Sequence, residues 1–358
     1  MKRMIGIGKA FGPAGREKAV QKCKPAGSHP MVWRRLMSLW AVAGTIFLFV
    51  GAAVVPLGAQ TYPNKPLRIV MPFPAGGGAD IVGRIIGHKL AERLGQPVVP
   101  ENRPGAGGNT GIDFVAKARP DGHTLLLGSA TLTISPSLYP KLTYDPVRDL
   151  APITLAAQTP IVVLVRPSLP VKNLKELVEL ARANPGKLNF GSGGVGTATH
   201  LATELLNSLA KIKITHVPYK GTNQAMVGLM GGEIDIVLIV VPNAVPQIQS
   251  GKVKALAVLS RERVPSLPDV PTAKEAGFDS YIVSAWYGLL VPARTPHDII
   301  SRLNAEWFKI AALPDTMEKM VSAGVDPMSS TPEQFSEFLK GEITRWTQVT
   351  KEANVTVD

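Results

Sequence analysis

The chain has 358 residues, too many for one ordinary hydrophobic core, so two domains are expected behind any targeting segment. Apolar residues make up 45% and charged residues 18%, which describes a folded globular protein and excludes a disordered one. The formal charge of +12 invites a nucleic-acid reading, but residues 1–60 hold nine Lys/Arg and one Glu. That leaves 30 basic and 26 acidic residues in 61–358, so no nucleic-acid partner is expected.

Residues 1–60 read as an export leader, a signal peptide with an extended N-terminal preface. Trp33-Arg34-Arg35 precedes the apolar run 39–50, which 51–55 continue, and small residues Gly58-Ala59 place cleavage near 59–61. Met31 offers an alternative start. A retained N-terminal membrane anchor is the other reading, because the run approaches spanning length. The single cysteine, Cys23, lies in the preface, so the exported part has no disulfide, thiol nucleophile or thiolate metal site. A periplasmic protein with a core of this size needs no such staple.

Leu67-Arg68-Ile69-Val70 is a β-branched apolar run of strand length. Met71-Pro72-Phe73-Pro74-Ala75-Gly76-Gly77-Gly78-Ala79-Asp80 follows. Ile81, Val82, Ile85, Ile86, Leu90 and Leu94 then recur at helical spacing, with Gly95 as the stop. Glycines at a strand-to-helix junction let backbone N–H groups converge at the positive end of a helix, which makes an anion cradle. A flexible turn is the plainer reading of the same residues. No Lys follows in P-loop spacing, and the triplet is not Gly-x-Gly-x-x-Gly, which argues against nucleotides.

Pro97-Val98-Val99-Pro100 is a short extended piece, fenced by prolines and suited to a sheet edge. Glu101-Asn102-Arg103-Pro104-Gly105-Ala106-Gly107-Gly108-Asn109 is a second glycine-rich turn ahead of a helical pattern. The strand Thr124-Leu125-Leu126-Leu127-Gly128 ends in the mostly polar run 129–133. This alternation predicts an open, mostly parallel α/β sheet, with ligands beyond the carboxyl ends of its strands. A proline-punctuated connection over 136–152 leads to the first crossing between domains, around 155–165.

The middle of the chain repeats this logic. Leu174, Leu177, Leu180 and Ala181 mark a helix, and Leu188-Asn189-Phe190 a strand. Its terminal loop is Gly191-Ser192-Gly193-Gly194-Val195-Gly196-Thr197-Ala198-Thr199-His200. Strands over 212–217, 234–241 and 255–259 follow, with Pro218-Tyr219-Lys220-Gly221 between the first two. Residues 284–290 return the chain to the first domain. Thr331-Pro332-Glu333-Gln334 starts a helix as a capping box, and Phe335, Phe338, Leu339, Ile343 and Trp346 form its apolar stripe, assigned to core. The expected organisation is a first domain at 61–160 and 286–358 and a second at 161–285.

Several motifs in order carry a family resemblance over 63–353. Lys65-Pro66-Leu67-Arg68-Ile69-Val70 with Pro72-Phe73-Pro74-Ala75-Gly76-Gly77-Gly78 closely resembles the opening of tripartite tricarboxylate transporter receptors, the Bug-type extracytoplasmic solute receptors. Glu101-Asn102-Arg103-Pro104-Gly105-Ala106-Gly107-Gly108, Pro120-Asp121-Gly122-His123-Thr124-Leu125, Tyr144-Asp145-Pro146 with Asp149, Val217-Pro218-Tyr219-Lys220-Gly221, Leu267-Pro268-Asp269-Val270-Pro271-Thr272 and Trp286-Tyr287-Gly288 extend it.

The resemblance implies a two-domain periplasmic binding protein of type II-like α/β fold. Each domain would be a mostly parallel sheet flanked by helices, with a cleft between them. It also implies a non-enzymatic receptor, in which backbone N–H groups and bridging water hold a small organic carboxylate. Membrane subunits of a tripartite tricarboxylate transporter would be the partners of a monomer without cofactor or metal. Carried onto this chain, the first loop offers Phe73, Ala75, Gly76 and Asp80, with Ser129 and Thr131 beside it. The second offers Ser192, Thr197, Ala198, Thr199 and His200. One departure is Ile239, where relatives often place an Asp; it argues against a ligand needing a charged partner there.

Rival readings attach to the same residues. A hydrolase using Ser192 and His200 lacks the Gly-x-Ser-x-Gly elbow, and no His-Glu-x-x-His is present. Asp80 suits either a helix cap or a solute contact, and His200 either a loop donor or a packed imidazole. Lys220 reads as a solvated loop charge. A receptor feeding a signalling partner is not distinguished from one feeding a transporter.

Overall fold

The computed structural model describes residues 62–352 and Val355, so the leader, Cys23 and the anchor alternative lie outside the described residues. Among the described residues no helix is long and apolar enough to cross a membrane.

The first lobe begins with β1 (Leu67–Met71), α1 (Gly78–Leu94), β2 (Val98–Asn102), α2 (Asn109–Ala116) and β3 (Thr124–Gly128). β2 and β3 flank β1 in parallel, and β2 takes the sheet edge, where the missing N–H of Pro100 leaves no second neighbour unbonded. Gly95 ends α1 in the left-handed conformation at φ 66°. α3 (Ala130–Leu138) follows β3 directly and contains Pro136. The polar run 129–133 and a proline do not predict this helix. Burial of Ala130, Leu132, Ile134 and Leu138 outweighs the one backbone bond that proline removes.

β4 (Leu150–Val165) is the element both lobes share. From Leu150 to Pro160 it pairs antiparallel with β9 (Ser284–Pro292), and from Ile161 to Val165 with β7 (Ile236–Val240). β8 (Lys254–Val258) and the short β10 (Asp326–Pro327) also pair with β4. A strand covered on both faces reads as a near-continuous apolar run, as this one does. Pro152 is accommodated where the register with β9 shifts.

The second lobe contributes α4 (Leu174–Ala183), β5 (Asn189–Ser192), α5 (Ala198–Ala210), β6 (Thr215–Pro218), α6 (Thr222–Gly231), β7, α7 (Val241–Gln249) and β8. β5 pairs in parallel with β6 and β7. The sheet order β2-β1-β3-β9-β4-β7-β5-β6 is thus parallel in each lobe's βαβ part and antiparallel where β4 and β9 cross.

β9 returns the chain to β3, and α8 (His297–Ala311), α9 (Pro314–Ser322) and α10 (Pro332–Glu352) complete the first lobe. The capping box forms as expected: the Gln334 N–H donates to Thr331 Oγ1 at 3.2 Å, and the Thr331 N–H to Gln334 Oε1 at 2.9 Å. Phe335 is fully buried and meets Trp286 of β9 edge-on, with ring centroids 5.8 Å apart. Gly288 makes room for it, since a Cβ there would fall 2.0 Å from the Phe335 ring. Gly288→Ala is expected to destabilise the chain by about 1–3 kcal/mol through overpacking. A urea midpoint equal to wild type would show that Phe335 moves aside freely.

Candidate functional site

A cavity of about 90 Å³ lies between the lobes, beyond the carboxyl ends of β1, β3, β5, β6 and β7. About 10–15 Å³ of such space holds one water, so this one takes several waters or a small organic molecule. Five helices begin at its wall. Gly77, Gly78 and Ala79 open α1; Ser129, Ala130 and Thr131 open α3; Thr197, Ala198 and Thr199 open α5; Gly221, Thr222 and Asn223 open α6; and Val240 precedes α7. The first N–H groups of a helix have no intrahelical acceptor. Only at α5 does the N-cap side chain supply one; the caps of α1, α3, α6 and α7 make no such bond. No lining residue carries a formal charge. Positive potential in this cavity therefore comes from backbone dipoles.

The first-lobe loop is shaped from below. Asn102 Nδ2 donates to the Phe73 carbonyl at 3.1 Å. The Asp80 carboxylate accepts from the Gly76 N–H at 2.9 Å and from Arg84 Nε at 3.0 Å. Burial would raise the Asp80 pKa, but the bonds from Arg84, Gly76 and Asn102 outweigh it and hold the carboxyl below its usual range. Asp80 thus ties the loop together, and neither it nor Gly76 lines the cavity, whereas Phe73, Ala75, Ser129 and Thr131 do.

In the second lobe Thr197, Ala198 and Thr199 line the cavity, and Ser192 and His200 do not. Thr197 Oγ1 donates to the Gly194 carbonyl at 2.8 Å and accepts the His200 N–H at 3.4 Å as the cap of α5. Behind the loop His200 stacks on His216 at 3.9 Å, and His216 on Phe190 at 4.8 Å. His200 Nδ1 accepts the Gly196 N–H at 3.3 Å, so its neutral form supports the loop. Ser192 Oγ lies 2.7 Å from Nε2 of His216, not of His200, and is fully buried. The pairing supposed by the hydrolase reading is therefore replaced by a buried contact away from the cavity. Among the described residues no group of three or more His, Cys, Asp or Glu is placed to hold a metal.

Other lining residues were not among the expected ligand contacts, although Gly221, Trp286 and Tyr287 belong to the motifs that carry the resemblance: Gly221, Thr222, Asn223 and Gln224 after β6, Val240 at the end of β7, and Ala285, Trp286 and Tyr287 on β9. The rule that ligands gather beyond strand ends reaches the first two groups; only the crossing of β9 brings in the third. Strand alternation buries Ile239 beside Val162, so the β7 residue at the cavity is Val240, also apolar. Lys220 is exposed in an adjoining groove that shares Phe73 and Pro74 with the cavity.

Burial, with the neighbouring His216, lowers the His200 pKa to about 3, and burial lowers that of His216 to about 4. Both start near 6.5 in the unfolded chain. Below that pH the unfolded state binds protons that the folded state refuses, so their contribution is intact above 6.5 and is lost as pH falls toward 4 and 3. Each proton gives a slope of about 1.4 kcal/mol per pH unit. His216→Phe is expected to flatten the loss of stability between pH 6.5 and 4. Parallel stability–pH curves for variant and wild type would contradict this.

The family model for the tripartite tricarboxylate transporter family receptor matches residues 82–355. Protein BugT of Bordetella pertussis is 36% identical over 88% of this chain and 97% of its own length. Among solved structures, R. palustris Rpa4515 with adipate is similar at TM-score 0.80 and 31% identity, covering 83% of this chain and all of that one. MatC from Rhodopseudomonas palustris with bound malate is similar at TM-score 0.76 and 37% identity, over 80% of this chain and 99% of that one. With its two lobes, shared crossing strands and interlobe cavity, the chain belongs to the tripartite tricarboxylate transporter receptor family, and its fold is that of a periplasmic binding protein.

Proposed function

We propose that this protein is a periplasmic receptor that captures a small organic carboxylate between its lobes, without catalysis, and delivers it to the membrane subunits of a tripartite tricarboxylate transporter. The observation that carries the reading is the meeting of several uncapped helix N-termini at a cavity without a charged side chain. A carboxylate there accepts charge-assisted bonds worth about 1.5–3 kcal/mol each, without a desolvated arginine. Related receptors were solved with adipate and with malate, which supports the same ligand class here. The apolar surfaces of Phe73, Val240 and Trp286 suit the carbon skeleton between or beyond such groups.

Export by the leader at 1–60, action as a monomer and lobe boundaries near 160/161 and 285/286 complete the proposal. The boundaries are supported by β4, which exchanges β9 for β7 between Pro160 and Ile161. Ligand contact is proposed for Phe73, Ala75, Ser129, Thr131, Thr197, Ala198 and Thr199, with Gly76, Asp80, Ser192 and His200 supporting the two loops from behind.

Ala198 is the first residue of α5, after an extended Thr197 at ψ 157°. Proline is well tolerated at that position, and it removes one N–H from the cavity wall. Ala198→Pro is expected to weaken adipate or malate binding at least tenfold in calorimetry with little change in Tm, while Ala198→Val, similar in bulk, retains the donor and most of the affinity. Equal affinities for the proline variant and wild type would overturn backbone recognition at α5. Failure of wild type to bind any small carboxylate would overturn the function itself.

A further inference from the structure

We propose that Asn243, which does not line the cavity, is a positioning residue for solute capture. With Asn223 it latches the first-lobe loop to the second lobe across the closed cleft. The inference rests on the reading of that cavity as a carboxylate site. Asn223 stands in the first turn of α6 and Asn243 in the first turn of α7. The carbonyl oxygen of Gly76, on the opposite lobe, accepts from Asn223 Nδ2 at 2.8 Å and from Asn243 Nδ2 at 2.9 Å. Asn243 Nδ2 also donates to Asn223 Oδ1 at 3.0 Å, which holds the Asn223 amide with its nitrogen toward Gly76. A carbonyl has two lone pairs, and both are engaged from the other lobe.

The peptide that is held matters for binding. Its plane is rigid and trans, so the Gly77 N–H runs antiparallel to the Gly76 carbonyl. Gly77 borders the cavity, at the start of α1. Fastening the oxygen therefore fixes the orientation of a peptide whose Gly77 lines the cavity. On the other side of Gly76, its own N–H is fixed by Asp80 at 2.9 Å, so the loop cannot yield by swivelling one peptide alone. At two other places beside the cavity the lobes meet with less hold. Thr131 Oγ1 reaches the Gly196 carbonyl at 3.3 Å, and Gly107 lies against the Val195 carbonyl, where a Cβ would come within 2.6 Å. Those contacts permit close approach; the two amides resist separation.

A latch across a closed cleft resists opening and does little to speed closing, so it acts on release more than on capture. Stopped-flow fluorescence of the full chain with adipate is expected to show release about tenfold faster in Asn243→Ala and association within twofold of wild type. Asn243→Asp is near-isosteric and favourable in the first turn of a helix, so it is expected to keep or raise Tm while also releasing faster. Small-angle X-ray scattering of both adipate-saturated variants is expected to give a larger radius of gyration than saturated wild type. Wild-type release rates in both folded variants would overturn the latch. Should wild type bind neither adipate nor malate, the proposed function fails separately. Scattering of the ligand-free chain then decides the latch: expansion in both variants supports it, and no change overturns it.

Discussion

The first N–H groups of a helix find no acceptor within it, and here several helices begin at one enclosed place. That constraint organises the protein. A buried helix start with unmatched donors is unfavourable unless water or a ligand completes it, and a carboxylate does so with charge as well as hydrogen bonds. The loops ahead of α1 and α5 are rich in glycine, alanine and threonine, which leave the backbone accessible. Charged groups such as Asp80 and Arg84 bind the loop from its far side and stay off the cavity wall.

Such donors are useful only if their directions are stable, and the fold supplies that stability in layers. β4 runs through both halves of the sheet and shares its apolar length between two sets of partners, so the lobes are joined through core and not by a free linker. Trp286 belongs to both layers: it lines the cavity and packs edge-on against Phe335 and Phe338 of α10. In the second lobe a stack of Phe190, His216 and His200 does similar work under the 193–199 loop. Its neutrality is part of its function as a support, since a protonated His200 Nδ1 has no lone pair for the Gly196 N–H.

Backbone recognition also bears on selectivity. In the proposed reading N–H groups define where an anionic end sits and leave the remainder of the solute to the cavity-lining Phe73, Val240 and Trp286. Shape against those side chains, and the fit of the lobes when closed, then distinguish one carboxylate from another. The proposed Asn223–Asn243 latch would add closure itself to that discrimination, through Asn243 off the cavity wall.

By itself the sequence determined what local chemistry decides. Strand runs, the stop at Gly95, the capping box at Thr331 and the glycine-rich junctions after β1 and β5 are properties of a few consecutive residues, although β5 runs on through Gly191 to Ser192, two residues past its expected end. They were therefore legible, as was the α/β alternation and the family resemblance built on those motifs. Helices over 130–138 and 241–249 were not, because each carries an internal proline and exists through burial against distant strands. The partners at the cavity were likewise a matter for the tertiary structure. Residues 221–224 and 285–287 join the site, His216 takes the place beside Ser192, and Val240 replaces Ile239 at the wall. The first two follow from sheet order and from the crossing of β4 and β9, which are long-range pairings, and the third from alternation along β7 once its place in the sheet is set. Local periodicity marks where a strand ends, but only those pairings decide which strand ends face one another.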